Sequence, residues 1–100
     1  MTAIRSSDRD YLRSLAHHLT PLVYVGHQGV TDALITAVEE NLTARELIKI
    51  KFNDHKEEKR PLSEEIARRT HSAYIGLVGN VLTLYRAHPE EEKRRIQLPG

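Results

Sequence analysis

The sequence predicts a single α/β domain in the order α-β-α-β-α-β-β, a mixed four-stranded sheet packed with helices. Three observations carry that expectation. Apolar residues recur at helical spacing in three segments, period-two alternation marks the segments between and after them, and a Gly-Asn pair joins the last two strands. A chain of 100 residues fits one domain.

The first helix is expected to open after Ser7 as N-cap and to align Tyr11, Leu12, Leu15, Ala16 and Leu19 on one face, while Arg9 and Arg13 share another. Thr20-Pro21 stops it, because proline lacks a donor and biases its predecessor away from the helix. Leu22–Val25 then reads as a short buried strand. After Gly26-His27-Gln28-Gly29, Thr31 caps a second helix with Asp32 at its positive end and Leu34, Ala37, Val38 and Leu42 inward. Leu47–Phe52 alternates, with Ile48, Ile50 and Phe52 on a buried face and Leu47, Lys49 and Lys51 on a basic one.

Asn53-Asp54 supplies a turn into a charged third helix that runs to about Thr70, anchored by Leu62, Ile66 and Ala67, with Pro61 marking its start or a kink. Ala73–Val78 and Val81–Arg86 form a hairpin across Gly79-Asn80. Pairing Val78 with Val81 gathers Ile75, Leu77, Leu82 and Leu84 on one face and sets Tyr74 opposite Tyr85 on the other, with Thr83. Right-handed crossovers through the middle helices join the parallel strands.

Composition removes several classes of function. With no cysteine, neither disulfides nor thiolate metal sites are available. No segment has the apolar length of a membrane span, and Met1–Arg5 lacks a signal-peptide core, so a cytoplasmic protein without membrane partner is expected. The six histidines lack ligand spacing, no Gly-x-Ser-x-Gly elbow exists, and Ser6, Ser7, Ser14, Ser63 and Ser72 read as caps or surface residues. Glu57, Glu58, Glu64 and Glu65 sit among lysines and arginines as a solvated face. No enzyme activity, cofactor, metal or small-molecule substrate is therefore expected.

A net charge of +1 gives no bulk attraction to nucleic acid, so any such case rests on where the charges lie. Many acids fall in the third helix and at Glu90–Glu92, away in sequence from Lys49, Lys51 and the glycine pair. Gly26-His27-Gln28-Gly29 joins a strand end to a helix start. Two glycines there admit close approach of a ligand's backbone, and the helix N-terminus favours phosphate. By spacing alone, the pair fits an ordinary tight turn equally well. It is neither a P-loop nor a Rossmann fingerprint. Tyr74 and Tyr85, if they share a face with the lysines, offer surfaces on which RNA bases stack, as against an exposed face that merely aids solubility or lies under the first helix.

Four separated motifs together resemble the CRM domain family in its stand-alone bacterial, YhbY-like form, over about 6–99 as the core of a single domain. They are Tyr11-Leu12-Arg13-x-Leu15-Ala16-His17-His18-Leu19-x-Pro21, Val25-Gly26-x-x-Gly29-Val30-Thr31, Glu46-Leu47-Ile48-Lys49-Ile50-Lys51 and Gly79-Asn80-Val81-Leu82-Thr83-Leu84-Tyr85-Arg86. The resemblance implies a fold similar to the C-terminal domain of translation initiation factor three and RNA binding in large-subunit ribosome assembly. It implies contacts at Gly26, His27, Gln28, Gly29 and Thr31, with Arg13, Lys49, Lys51 and Arg86 as the matching basic positions. His27 stands where the family usually has lysine, which predicts pH-sensitive RNA affinity. The alternative is a protein-interaction module that docks an open sheet face or the first helix on a ribosomal or other protein.

Overall fold

The computed structural model describes residues 4–99. Helix α1 spans Ser6–Ala16, strand β1 Val23–Val25, α2 Asp32–Arg45, β2 Leu47–Phe52, α3 Lys59–Arg69, β3 Ala73–Val78 and β4 Val81–Tyr85. Short 3-10 turns sit at Lys56–Glu58 and Glu91–Lys93. The α-β-α-β-α-β-β order and the mixed four-stranded sheet are those the sequence predicts.

The strand order is β1-β2-β4-β3. β1 pairs parallel with β2, and β4 lies antiparallel to both β2 and β3. β3 therefore runs parallel to β2 with β4 between them.

Helices α2 and α3 cover one face of the sheet. Leu34, Val38 and Leu42 of α2 and Ile66 and Ala67 of α3 pack on Val23, Val25, Ile48, Ile50, Phe52, Leu82 and Leu84. On the other face, Leu12 and Ala16 of α1 cover Leu47, Ala73, Ile75 and Tyr85, with Ile96 and Leu98 packed alongside. Strand β2 is thus buried on both sides at Leu47 and keeps a basic face only at Lys49 and Lys51.

Several local expectations change. Arg5, not Ser7, occupies the cap position of α1, and Ser7 lies inside a first turn whose Asp8 complements the helix dipole. α1 ends at Ala16, four residues before Thr20, so Leu19 leaves the helical face and stands half-exposed in the following turn. Leu22 and Tyr24 are likewise exposed, because β1 is an edge strand with only its Val23 and Val25 side covered. Pro61 falls in the first turn of α3, where a missing N–H costs nothing, so the helix neither starts at it nor breaks. Ser63 and Ser72 are fully buried rather than superficial, small residues beneath α3 and at its exit.

The largest change concerns the hairpin. Val78 does face Val81, but a bulge between Tyr74 and Gly76 sets Tyr74 against Leu84 and Ala73 against Tyr85. Tyr74 therefore packs on the α2/α3 side, while Ile75 joins the α1 side. Arg9 holds the bulge open, its guanidinium donating to the carbonyls of both Tyr74 and Ile75.

Candidate nucleic-acid interface

Val25 ends β1, and its carbonyl accepts from the N–H groups of Asn53 and Asp54 at 2.9 and 3.2 Å, which ties the 53–55 turn beside the glycine loop. The loop closes on itself, the Gly29 N–H donating to the Gly26 carbonyl at 3.0 Å. Gly29 has a φ of +75°, a conformation that L side chains resist. Gly26 has no such need, and a Cβ built there meets nothing within 4 Å.

His55 underpins the loop. Its Nε2 lies 2.7 Å from the His27 carbonyl, and since a carbonyl only accepts, Nε2 carries a proton. The same ring stands 3.5 Å from where a Gly29 Cβ would be. That hydrogen bond, helped by the Asp54 and Glu58 carboxylates, raises the His55 pKa above its ordinary value against the opposing effect of burial. Asp54 is lowered, chiefly because its carboxylate accepts the His55 N–H at 2.7 Å. The His27 side chain is 96% exposed, with Nδ1 3.6 Å from Asp54 Oδ2.

Thr31 caps α2 as expected, Oγ1 accepting the Leu34 N–H at 3.0 Å. The positive end of α2 is thereby fixed directly after the loop. Asp32 beside it is engaged by Arg69 at 3.0 Å.

Lys51 is exposed on β2 and pairs with Tyr24, two residues before Gly26. Lys49 follows on the same face, its Nζ donating to the Leu19 carbonyl at 3.1 Å. Arg13 reaches over the sheet to Gly76, its Nε 3.5 Å from the position a Cβ would take, and sits 3.6 Å from Asp10. These three cations share the α1 side of the sheet in succession from the loop.

Arg86 lies apart from them. Its guanidinium donates to Glu39 Oε1 and the Thr70 carbonyl, both at 2.7 Å, and to Thr43 Oγ1 at 3.1 Å. It links α2 to the exit of α3, a use inside the fold that the sequence reading did not foresee. Tyr85 is buried beneath α1, where burial raises its phenol pKa, and Tyr74 faces the opposite layer, so neither offers a ring to bases beside the lysines.

His55 escaped the sequence reading, its one signal being the Asn53-Asp54 turn just before it. Tyr24 was legible only as part of a strand. Glu46 was quoted within a motif but given no role; it is 1% exposed, and its carboxylate accepts the N–H groups of His88, Arg95 and Ile96 at 2.7–3.0 Å. Among the described residues, no group of three or more histidines and carboxylates is placed to hold a metal ion, and no helix is long and apolar enough to cross a membrane.

The fold and its loop define a small α/β module that presents a glycine pair at a strand-to-helix junction beside a short line of cations. The chain belongs to the CRS1/YhbY (CRM) domain family, whose model matches residues 4–86. It is 38% identical over 100 residues to a Haemophilus influenzae protein named as RNA-binding, covering 99% of this chain and 98% of that protein. A Bacillus subtilis strain 168 protein named as a probable RNA-binding protein is 36% identical over 97 residues, covering 96% and 99%. The solution structure of a hypothetical Staphylococcus aureus protein, described there as a candidate for RNA binding, superposes with a TM-score of 0.79 at 28% identity, covering 97% of this chain and all of that one.

Proposed function

We propose that this protein binds structured RNA by its phosphate backbone, through the Gly26–Gly29 loop and the positive end of α2, with Lys51, Lys49 and Arg13 extending the contact. The observation that carries the reading is Gly26. Neither its backbone nor its surroundings require glycine, so the bare position serves an outside chain that must come close. Contacts of this kind position an RNA without reading its bases, so sequence selectivity is low. The RNA-binding names of the relatives support the same ligand. The family resemblance adds its setting: ribosomal RNA of large-subunit precursors, in the cytoplasm, with no catalysis.

Gly26→Asp tests it. The variant is expected to remain folded and to lose affinity for ribosomal RNA, and crosslinking in cells is expected to recover large-subunit precursor RNA with the parent but not the variant. Equal recovery by both would end the reading.

A protein-docking role has one observation in its favour. Half-exposed Leu19 and Leu22 edge a groove of about 460 Å³ that is flanked by Arg45 and Arg95. Co-purification of a partner that survives exhaustive nuclease treatment would favour it.

A further inference from the structure

Helix α1 covers only one end of its sheet face. Beyond Leu47, Tyr85 and Ala73 lie two rows that the helix does not reach, Lys49–Thr83–Gly76, half-buried with Arg13 extended over Gly76, and the more open Tyr24–Lys51–Val81–Val78. Tyr24 is 51% exposed and Val78 80%. The Tyr24 hydroxyl donates to the Pro21 carbonyl at 3.2 Å, which restrains a ring that would otherwise turn freely in solvent. Between this surface and the end of α1 runs a groove of about 400 Å³, and its walls include Arg13, His17, Pro21, Lys49 and Val78 but no carboxylate.

The chemistry of this surface selects its occupant. A protein burying Lys49, Lys51 and Arg13 would have to supply several carboxylates to offset their desolvation. A single-stranded RNA brings its own phosphates together with flat apolar bases, and an aromatic ring on a basic groove is the usual platform for such bases. Tyr24 also sits one residue before Val25, which leads into Gly26, so a strand leaving the loop meets the ring next.

The geometry points to a second RNA contact, in which Tyr24 stacks one unpaired base while Lys51, Lys49 and Arg13 hold the flanking phosphates. The preferred ligand is then structured RNA with an adjoining single-stranded segment. This rests on the loop reading above and adds to it the class of RNA that is bound.

The test uses the full chain, an oligouridine of about ten nucleotides and an RNA hairpin without overhang. Tyr24→Ala is expected to weaken oligouridine binding about 5-fold or more, with its salt dependence unchanged because no charge is lost, and to leave hairpin binding alone. Tyr24→Phe is expected to stay within about twofold of the parent, since a π-face remains. Tyr24→Trp introduces a tryptophan into a chain that has none, and its fluorescence is expected to quench on oligonucleotide addition.

Parent-like oligouridine binding by Tyr24→Ala would overturn the platform while Gly26→Asp still judges the loop. Equal losses in Tyr24→Phe and Tyr24→Ala would assign the effect to the Pro21 hydrogen bond and overturn stacking. A parent that binds the hairpin but not oligouridine would overturn the platform and leave the face to a protein. A parent that binds neither RNA would overturn both readings.

Discussion

His55 Nε2 lies 2.7 Å from the carbonyl oxygen of His27, so the glycine loop is held from outside itself by a residue on the turn after β2. His55 has a φ of +54°, unusual for a side chain with Cβ, and the Asp54 carboxylate supports it through the His55 N–H. The hydrogen bond to His27 is the largest cause of the raised His55 pKa, and Asp54 and Glu58 add to it. A folded-state pKa above the ordinary 6.5 means that the contribution is fully present below that value and fades as pH rises through the raised pKa. Asp54, lowered from 3.8, contributes above that value and stops doing so as pH falls through its folded pKa. The loop is therefore expected to be tightest between about pH 4 and 6.5. An NMR titration should place the His55 midpoint above 6.5, and a midpoint at or below it would refute the latch.

His27 extends from the loop into solvent and bears on binding rather than on loop order. Under the loop reading it stands where an RNA phosphate would lie, with Asp54 Oδ2 3.6 Å from its Nδ1. His27→Lys puts a fixed positive charge at that point and is expected to tighten RNA binding at about pH 8 and to raise the slope of log affinity against log salt by about 1. Unchanged affinity and unchanged salt dependence in His27→Lys would remove His27 from the candidate interface.

The two glycines of the loop are expected to respond differently. Gly29→Ala places a Cβ on a left-handed residue and should cost about 1–2 kcal/mol of stability in urea unfolding. Gly26→Ala meets open space and should stay within about 0.5 kcal/mol of the parent. Gly26 is thus the cleaner probe of binding, because a loss of affinity there cannot be traced to the fold.

Much of this architecture was legible because it is local. The α2 cap at Thr31, the inward Ile48-Ile50-Phe52 run and the Gly79-Asn80 turn each follow from a few neighbouring residues. What was illegible depends on distant partners. A two-residue turn sets Tyr74 opposite Tyr85 by simple counting, yet Arg9 crosses from α1 to bridge two β3 carbonyls and shifts the register by a bulge. The face that α1 covers, and with it the difference between buried Tyr85 and exposed Tyr24, follows from that docking. His55 likewise acquires its role only when the turn after β2 is brought against the end of β1. In the candidate interface, residue types were readable along the chain, while their grouping required the sheet order.

Arg86 and Lys51 provide a contrast between a cation spent in the fold and one left at the surface. Arg86→Ala removes hydrogen bonds to Glu39, Thr70 and Thr43, leaves partly buried acceptors unpaired, and should cost about 2 kcal/mol or more. The salt dependence of RNA binding by the folded variant should not change. Lys51→Ala should leave stability within about 0.5 kcal/mol and lower the slope of log affinity against log salt by about 1. If Arg86→Ala instead lowers the slope with stability intact, Arg86 belongs to the interface.

Glu46 closes the fold at its C-terminal end. It follows α2 with a φ of +70°, its carbonyl accepts the Arg86 N–H at 2.8 Å, and its buried carboxylate gathers three backbone N–H groups from 88–96. A buried charge is tolerated there because those donors replace its lost hydration. Glu46→Ala would strand all three N–H groups and is expected to cost about 3 kcal/mol. Glu46→Gln keeps one acceptor oxygen, enough for the Arg95 and Ile96 pair, but turns an NH2 toward the His88 N–H, so an intermediate loss is expected. Because Ile96 and Leu98 pack against the α1 layer, both variants should release the segment after β4 before the sheet unfolds. Proteolysis of the native state should detect this as early cleavage beyond Arg86. Stability and cleavage equal to the parent in Glu46→Ala would show that the tail is held by its apolar contacts alone.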